Sequence, residues 1–74
     1  MPRKIRQLKA ELQRSGAFQI SQRGSHAKWK HSLVPFVILM LSGHDNDDAR
    51  PYQEKIVRDL LQQIALAKRR LNDE

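Results

Sequence analysis

The small size of the chain and its lack of cysteine set the tightest limits on what it can fold into. With 74 residues, the sequence predicts a single domain, residues 1–74. A chain of this size buries only roughly 60% of the surface that its unfolded form exposes, so its hydrophobic core must be thin. There is no cysteine, which excludes disulfides and cysteine-ligated zinc sites. An enzyme with a deep cofactor pocket is excluded as well.

Positive charge is concentrated in the first half of the chain. Residues 1–31 hold eight Lys and Arg side chains against one Glu, a formal charge of +7, while the whole chain carries +6. This distribution predicts a polyanionic partner: a nucleic acid, an anionic membrane or an acidic protein. Disorder is not expected, because 39% of the residues are apolar and they are regularly spaced.

No segment of the sequence resembles an export signal or a membrane span. Residues 1–4 lack the apolar stretch with which a signal peptide continues. The longest apolar run is nine residues, 33–41, and includes Pro35, whereas a spanning helix needs about 20. We therefore expect a cytoplasmic protein that does not bind a membrane.

The spacing of apolar residues predicts a helix followed by two strands. Apolar side chains recur at helical intervals over residues 3–15, and Gly16 follows at a position where a left-handed backbone commonly ends a helix. Alternating apolar and polar residues then predict strands at about 17–23 and about 26–32. The Gly24-Ser25 pair between them predicts a tight turn, so the two strands should form a hairpin.

A third strand and a long helix complete the expected fold. Residues 35–42 predict a strand that is apolar on both faces, and residues 50–71 predict a helix with Pro51 in its first turn. This order predicts an α+β fold, in which two helices cover one face of a three-stranded antiparallel sheet. Strand alternation places three residues beneath the helices: Phe18, Ile20 and Trp29. It places five polar residues on the opposite face: Gln19, Arg23, His26, Lys28 and Lys30.

The most informative cluster combines one histidine with two lysines. By strand periodicity, His26, Lys28 and Lys30 project from the same face. An imidazole exchanges protons near neutral pH, and lysines hold phosphate. Because the 2′-hydroxyl of RNA lies beside its own phosphate, one base with cationic stabilisation can cleave RNA without a metal. The simpler interpretation is an exposed strand with charged residues on its solvated face.

The other two histidines point less clearly to a function. His31 should face inward with Trp29, as a half-buried structural residue. His44 precedes an acidic segment, residues 45–48, which could suggest a cation site, but the glycine and glutamate of a calcium loop are missing. We therefore expect no metal. The apolar third strand is either a central strand covered on its outer side or an interface with a partner chain, such as a second copy in a homodimer.

The hairpin carries a motif that resembles a known family. Residues 24–31, Gly-Ser-His-Ala-Lys-Trp-Lys-His, are similar to the Gly-Ser-His-x-x-aromatic-basic-His signature of HicA toxins, the mRNA interferases of HicA/HicB toxin–antitoxin systems. Further blocks resemble one subgroup: Pro2-Arg3-Lys4-Ile5-Arg6, Gly16-Ala17-Phe18, Leu41-Ser42-Gly43, Asp47-Asp48-Ala49 and Pro51-Tyr52-Gln53-Glu54-Lys55. The resemblance covers residues 2 to about 60.

This resemblance implies a function and a set of site residues. HicA toxins share the fold of double-stranded-RNA-binding domains, cleave mRNA without a known metal or cofactor, and halt translation. Their catalytic histidine corresponds to His26, and a HicB-type antitoxin binds over it. We accordingly expect His26 to act as general base or acid, Lys28 and Lys30 to bind phosphate, and Arg23 to position the RNA backbone.

Two departures from the family pattern are visible. After His31 the family has a Pro-x-Gly-like turn, where this chain has Ser32-Leu33-Val34-Pro35, and its third strand alternates where residues 36–41 are apolar throughout. Two other functions fit the same element order. One is a non-catalytic double-stranded-RNA-binding module, although these carry lysines where this chain has Asp47-Asp48. The other is an inactive interaction domain.

Overall fold

The two helices and three strands follow one another in the predicted order. The computed structural model describes residues 2–73. Its elements are α1 (Ile5–Arg14), β1 (Phe18–Arg23), β2 (His26–Lys30), β3 (Leu39–Ser42) and α2 (Pro51–Asp73). The strands pair antiparallel in the order β1-β2-β3, and both helices contribute to a core on one face of the sheet. The predicted α+β fold is therefore confirmed.

Helix α1 is amphipathic and ends where the sequence predicts. Ile5, Leu8 and Leu12 are buried along one side of it. Beyond its last turn Gly16 adopts a φ of 96°, a left-handed conformation that costs glycine little. The Gly16 N–H donates to the carbonyl of Gln13 at 3.0 Å. The chain turns at this glycine and enters β1.

The hydrophobic core lies between the helices and the inner face of the sheet. Ala27 and Trp29 of β2 are paired with Leu41 and Leu39 of β3, and all four are buried. The helical side chains of the core are Ile5, Leu8, Leu12, Val57, Leu60 and Ile64. Full burial of such a side chain is worth about 1.5–3 kcal/mol, so this cluster is the main stabilising feature of a chain without disulfides. The predicted burial of Trp29 is confirmed.

The first strand differs from its prediction. Phe18 and Ile20 were expected beneath the helices, but they are 47% and 44% exposed. The pairing register shifts between Gln19 and Ser21, which makes a bulge at Ile20. As a result Phe18 pairs with Lys30 and lies on the outer face of the sheet, the face that also carries His26 and Lys28.

The same bulge places Gln19 on the side opposite to its prediction. Gln19 pairs with Trp29, and cross-strand partners share a face, so Gln19 lies on the inner side of β1. Its side-chain amide donates to the side-chain oxygen of Gln22 at 3.0 Å. All six residues of β1 are exposed, since the buried core is formed beneath β2 and β3.

The third strand is shorter than predicted and lies at an edge of the sheet. The strand expected at 35–42 begins only at Leu39, because two consecutive turns precede it: the Val34 N–H donates to His31 and the Val37 N–H to Val34, each at 3.1 Å. Met40 is 47% exposed. The interpretation of this segment as a covered central strand is therefore wrong, and the central strand is β2.

Helix α2 follows β3 after the loop of residues 43–50 and continues past the core. Pro51 is its first residue, as predicted. The buried Gln53 donates a side-chain N–H to the carbonyl of Ser42 at 2.6 Å, which fixes the helix to the end of β3. Leu71 lies beyond the core and is 57% exposed. Within residues 2–73, no helix combines the length and the apolar character needed to cross a bilayer.

The acidic loop between β3 and α2 is bonded to α1. Lys9 donates to the Asp45 carboxylate at 2.8 Å, and Lys4 donates to the Asp48 carboxylate. The backbone N–H of Ile5 donates to the carbonyl of Asp47 at 2.9 Å. These contacts hold the start of α1 beside the loop and occupy two of the loop carboxylates.

The ion pair between Asp45 and Lys9 makes the stability of the fold depend on pH. The hydrogen bond from Lys9, together with its charge, lowers the pKa of Asp45 below its ordinary value of 3.8. A carboxylate with a lowered folded-state pKa stabilises the fold above its unfolded pKa, and this stabilisation is lost as the pH falls through the folded value. The substitution Asp45→Asn should therefore lower stability at about pH 5, with a difference that closes below about pH 3.8.

This stability difference is measured by urea unfolding of the wild type and of Asp45→Asn. Unfolding is followed by circular dichroism over this pH range. The expected result is two stability curves that converge on acidification. Parallel curves would show that this carboxylate has the same pKa in the folded and unfolded states.

Candidate functional site

The three residues singled out on β2 lie together on the outer face. His26 and Lys28 are exposed and Lys30 is half-buried, while Ala27 and Trp29 between them are buried. This is the alternation expected of a strand with one covered face. The predicted orientation of the three polar side chains is therefore confirmed.

Pairing with the neighbouring strands arranges the outer face in rows. His26 lies between Arg23 of β1 and Ser42 of β3. The next row holds Lys28, with Ser21 and Met40 as its partners. Alternate residues of a strand are about 7 Å apart, so the two rows form one continuous surface. Arg23, predicted from the sequence to help bind a ligand, is thus directly beside His26.

These two rows line an open depression. Arg23, His26 and Lys28 border it together with Ser21 and Met40, and its volume is about 580 Å³. Lys30 lies one row farther along β2, opposite Phe18, and does not line the depression. The structure therefore brings together three of the four predicted site residues and places Lys30 at the end of the same surface.

The imidazole of His26 is held through one of its two nitrogens. Nδ1 lies 2.7 Å from Oγ of Ser42, a hydrogen bond whose direction depends on the tautomer of the ring. Among the described residues Nε2 makes no hydrogen bond, so it can contact a ligand. When Nδ1 donates to Ser42, Nε2 carries the lone pair and can accept a proton.

The serine that bonds to His26 is itself held in place by hydrogen bonds of the backbone around it. The carbonyl of Ser42 accepts the side-chain N–H of Gln53 on α2, and the adjacent Gly43 N–H donates to the carbonyl of Ser25 at 3.0 Å. The end of β3 is thereby fixed to both the hairpin turn and helix α2. Such anchoring restricts the position of the serine that orients the His26 ring.

The outer face carries positive charge that the fold does not neutralise. Residues 12–44 contain no Asp or Glu. The ion pairs found within residues 2–73 involve only cations of the two helices and of the segment before α1: Arg3, Lys4, Lys9 and Lys55. Arg23, Lys28 and Lys30 have no carboxylate within ion-pair distance in this part of the chain. The depression around His26 is therefore suited to an anion.

The described residues offer no ready metal site. Between residues 2 and 73, no group of three or more His, Asp or Glu side chains is arranged to hold an ion. The acidic segment around His44 instead bonds internally, since the His44 N–H donates to the Asp47 carboxylate at 2.9 Å, and Asp45 and Asp48 bond to lysines.

His31 has a structural role. It faces inward, as predicted, and is only 4% exposed, more deeply buried than expected. Its Nδ1 accepts the backbone N–H of Leu33 at 3.0 Å, so Nε2 carries the hydrogen and donates to the carbonyl of Ser15 at 2.9 Å. Both ring nitrogens are occupied, and the ring joins the end of α1 to the turn after β2.

Sequence reasoning missed Ser42, Ser21 and Met40. Ser42 looked like the start of a loop, and its contact with His26 depends on how β2 and β3 are aligned. The signal was present in part: a tight hairpin between the strands predicted at 26–32 and 35–42 pairs the start of one with the end of the other. Ser21 lies on the outer face by the same alternation as Arg23, and Met40 reaches the depression because β3 is exposed on that side.

Comparisons with models of known families, with curated proteins and with solved structures found no match to this chain.

Proposed function

We propose that the outer face of the sheet binds RNA and cleaves it with His26. One observation carries this proposal: the free Nε2 of an oriented imidazole lies beside cations that no carboxylate of the described chain neutralises. An anionic substrate is attracted to such a surface, and the imidazole supplies a group that can accept a proton and return it. RNA combines a phosphate with an internal nucleophile, so it needs little else from the protein.

The reaction begins at the ribose 2′-hydroxyl next to the bound phosphate. His26 Nε2 accepts the hydroxyl proton while Nδ1 donates to Ser42 Oγ. The 2′-oxygen bonds to phosphorus, and the bond from phosphorus to the 5′-oxygen breaks. The 5′-oxygen takes the proton back from the imidazolium, directly or through one water molecule. The products are a 2′,3′-cyclic phosphate and a free 5′-hydroxyl, and the imidazole is neutral again at the end.

The cations and the serine have separate roles in this step. Lys28 and Arg23 line the depression with His26, where they can offset the charge that builds up on the phosphorane oxygens. Arg23 can donate two parallel hydrogen bonds to a phosphate. Ser42 positions the ring and does not touch the substrate. Lys30, one row beyond Lys28 on β2, binds the next part of the RNA backbone.

Within a cell, we infer that this activity makes the protein a toxin of the HicA type, which cleaves mRNA and stops translation. The inference rests on the Gly-Ser-His motif of the hairpin and on the further blocks of residues that resemble the family. It implies a cytoplasmic location and a HicB-type antitoxin that covers His26. An antitoxin with acidic residues at this contact would complement the charge of the outer face. The exposed Met40 of the edge strand β3 marks the side on which a homodimer would form.

The role of Lys28 can be tested directly. A hydrogen bond to a charged group is worth about 1.5–3 kcal/mol, so Lys28→Met should lower kcat/KM for RNA cleavage about 10- to 100-fold. The assay is run in excess chelator, in which we expect wild-type cleavage to be unimpaired. Lys55→Met on α2 is the matched control: it removes the same charge from a residue whose side chain, within residues 2–73, bonds to Asp59 at the surface.

Three results would contradict the proposal. Cleavage that stops in chelator would show that a metal ion, and not the imidazole with its cations, supplies the chemistry. An equal loss in Lys28→Met and Lys55→Met would show that overall charge matters and the outer face does not. RNA that is bound but stays intact after long incubation would indicate a non-catalytic RNA-binding module.

A further inference from the structure

The outer face continues beyond the depression to an aromatic residue. Phe18 pairs with Lys30 across β1 and β2, two rows along the sheet from His26. It is 47% exposed because the bulge at Ile20 turns it away from the core. Cross-strand partners have Cβ atoms about 4.5–5.5 Å apart, so the side chains of Phe18 and Lys30 leave the sheet next to each other.

This combination of groups favours one kind of ligand. A single exposed aromatic ring is common on protein surfaces, and what distinguishes Phe18 is its place beside a lysine on the face that carries His26. A lysine beside a phenyl ring, on a segment without any acidic residue, fits a ligand with alternating phosphates and flat rings. Single-stranded nucleic acid has that chemistry, and proteins bind it by combining cationic grooves with aromatic stacking platforms.

The spacing along β2 fits the same ligand. From His26 to Lys30 a strand advances about 13 Å, which is comparable to two steps of an extended nucleotide chain. A phosphate held at Arg23, His26 and Lys28 would thus bring a base two steps away over Phe18. In a duplex the faces of the bases are covered by their neighbours, so only an unpaired nucleotide can stack on this ring.

We propose that Phe18 is a stacking platform for an unpaired base of the RNA, two steps along the chain from the nucleotide at His26. The proposal rests on the RNA-binding function proposed above and adds its substrate class: single-stranded or looped RNA. Lys30 then holds the phosphate next to the stacked base. Phe18 acts in binding and takes no part in proton transfer.

This proposal is tested by measuring RNA binding to a variant that cannot cleave RNA. In a His26→Ala background, fluorescence anisotropy compares a short mixed-sequence oligoribonucleotide with the same sequence annealed to its complement. We expect tighter binding of the single strand. Phe18→Ala should weaken that binding about 5- to 100-fold and Phe18→Trp should retain it. Phe18→Leu should behave like Phe18→Ala, because leucine is apolar but cannot stack.

Ile20→Ala is the matched control, because Ile20 is about as exposed as Phe18 on the same strand but pairs with neither lysine. We expect Ile20→Ala to bind single strands as the parent does. Equal affinities of Phe18→Leu and the parent, or equal binding of duplex and single strand, would overturn the stacking proposal. If only a protein partner used this patch, Phe18→Leu would leave the RNA affinity unchanged. That result would therefore favour a protein partner over RNA at Phe18.

Failure of this inference is distinguishable from failure of the proposed cleavage. If RNA is cleaved in a His26-dependent way but Phe18→Ala binds normally, the stacking platform is wrong and the nuclease proposal remains. If Phe18 is needed for single-strand binding but wild-type protein leaves the RNA intact, the platform is supported and the cleavage proposal is wrong.

Discussion

Replacing His26 by Ala should reduce RNA cleavage about 100- to 10,000-fold, the range that a positioned general acid or base contributes. The loss should fall on kcat, because the neighbouring cations still bind the phosphate. The measurement is single-turnover cleavage of a labelled RNA by purified protein. In cells, expression of the His26→Ala variant should no longer arrest growth.

The fold should survive this substitution. His26 is exposed, and the one hydrogen bond of its side chain within residues 2–73 is to the hydroxyl of Ser42, so loss of the side chain should change stability by no more than about 0.5 kcal/mol. Circular dichroism and thermal unfolding check this. His44→Ala is a suitable control, because His44 is also an exposed histidine but lies in the acidic loop. Cleavage at the wild-type rate in His26→Ala would remove the proposed mechanism.

The parts of the fold that were predicted correctly depend on local patterns. The α1 stripe of Ile5, Leu8 and Leu12 needs only helical periodicity, and Gly16 ends the helix by its own conformational freedom. The orientation of β2 follows from strict alternation around Trp29. In these segments neighbouring residues determine the structure, so a sequence pattern is sufficient.

The errors concern features that depend on distant parts of the chain. Phe18 alternates like a core residue, but the bulge at Ile20 shifts the register, and the core is formed beneath β2 and β3. An extra residue in one strand reverses the faces of those before it. Composition alone does not locate such a bulge, since Gln19 and Ser21 fit either face of an edge strand.

The sequence predicted the charged residues of the candidate site but missed the serine that bonds to His26. The motif and the alternation of β2 identified His26 and Lys28, and the turn at Gly24 brought Arg23 beside them. The contact between His26 and Ser42 needed the alignment of β2 with β3. The predicted bounds of the two strands were compatible with this alignment, but the turns that precede Leu39 and shorten β3 have no simple signature beyond Pro35.

The segregation of charge also emerges only in three dimensions. The sequence shows a basic first half, yet Lys4 and Lys9 are neutralised by carboxylates of the later loop, and Arg3 is neutralised by Glu11 of α1 and Glu54 of α2. The cations of the sheet are left without such partners in the described chain. Net charge therefore predicts an anionic ligand, but the fold decides which of the cations can bind it.

The 2′-hydroxyl of the substrate is the second essential group, and removing it should stop cleavage. In the proposed reaction this hydroxyl is the nucleophile that His26 activates, and no water or metal replaces it. An RNA with a single deoxyribose on the 5′ side of the cleaved linkage should therefore resist cleavage there. It should still bind, because its phosphates and bases are unchanged.

Attack by the 2′-hydroxyl, activated by His26, is tested most directly by gel analysis of such an RNA. The RNA is treated with wild-type protein in the presence of chelator. The substrate carries the one deoxyribose at a mapped cleavage position and ribose elsewhere. The expected result is loss of the product that ends at the modified nucleotide and unchanged cleavage at other positions, where each new 3′ end carries a 2′,3′-cyclic phosphate and each new 5′ end a hydroxyl. Cleavage that continues at the deoxyribose would contradict attack by the 2′-hydroxyl and, with it, the proposed role of His26.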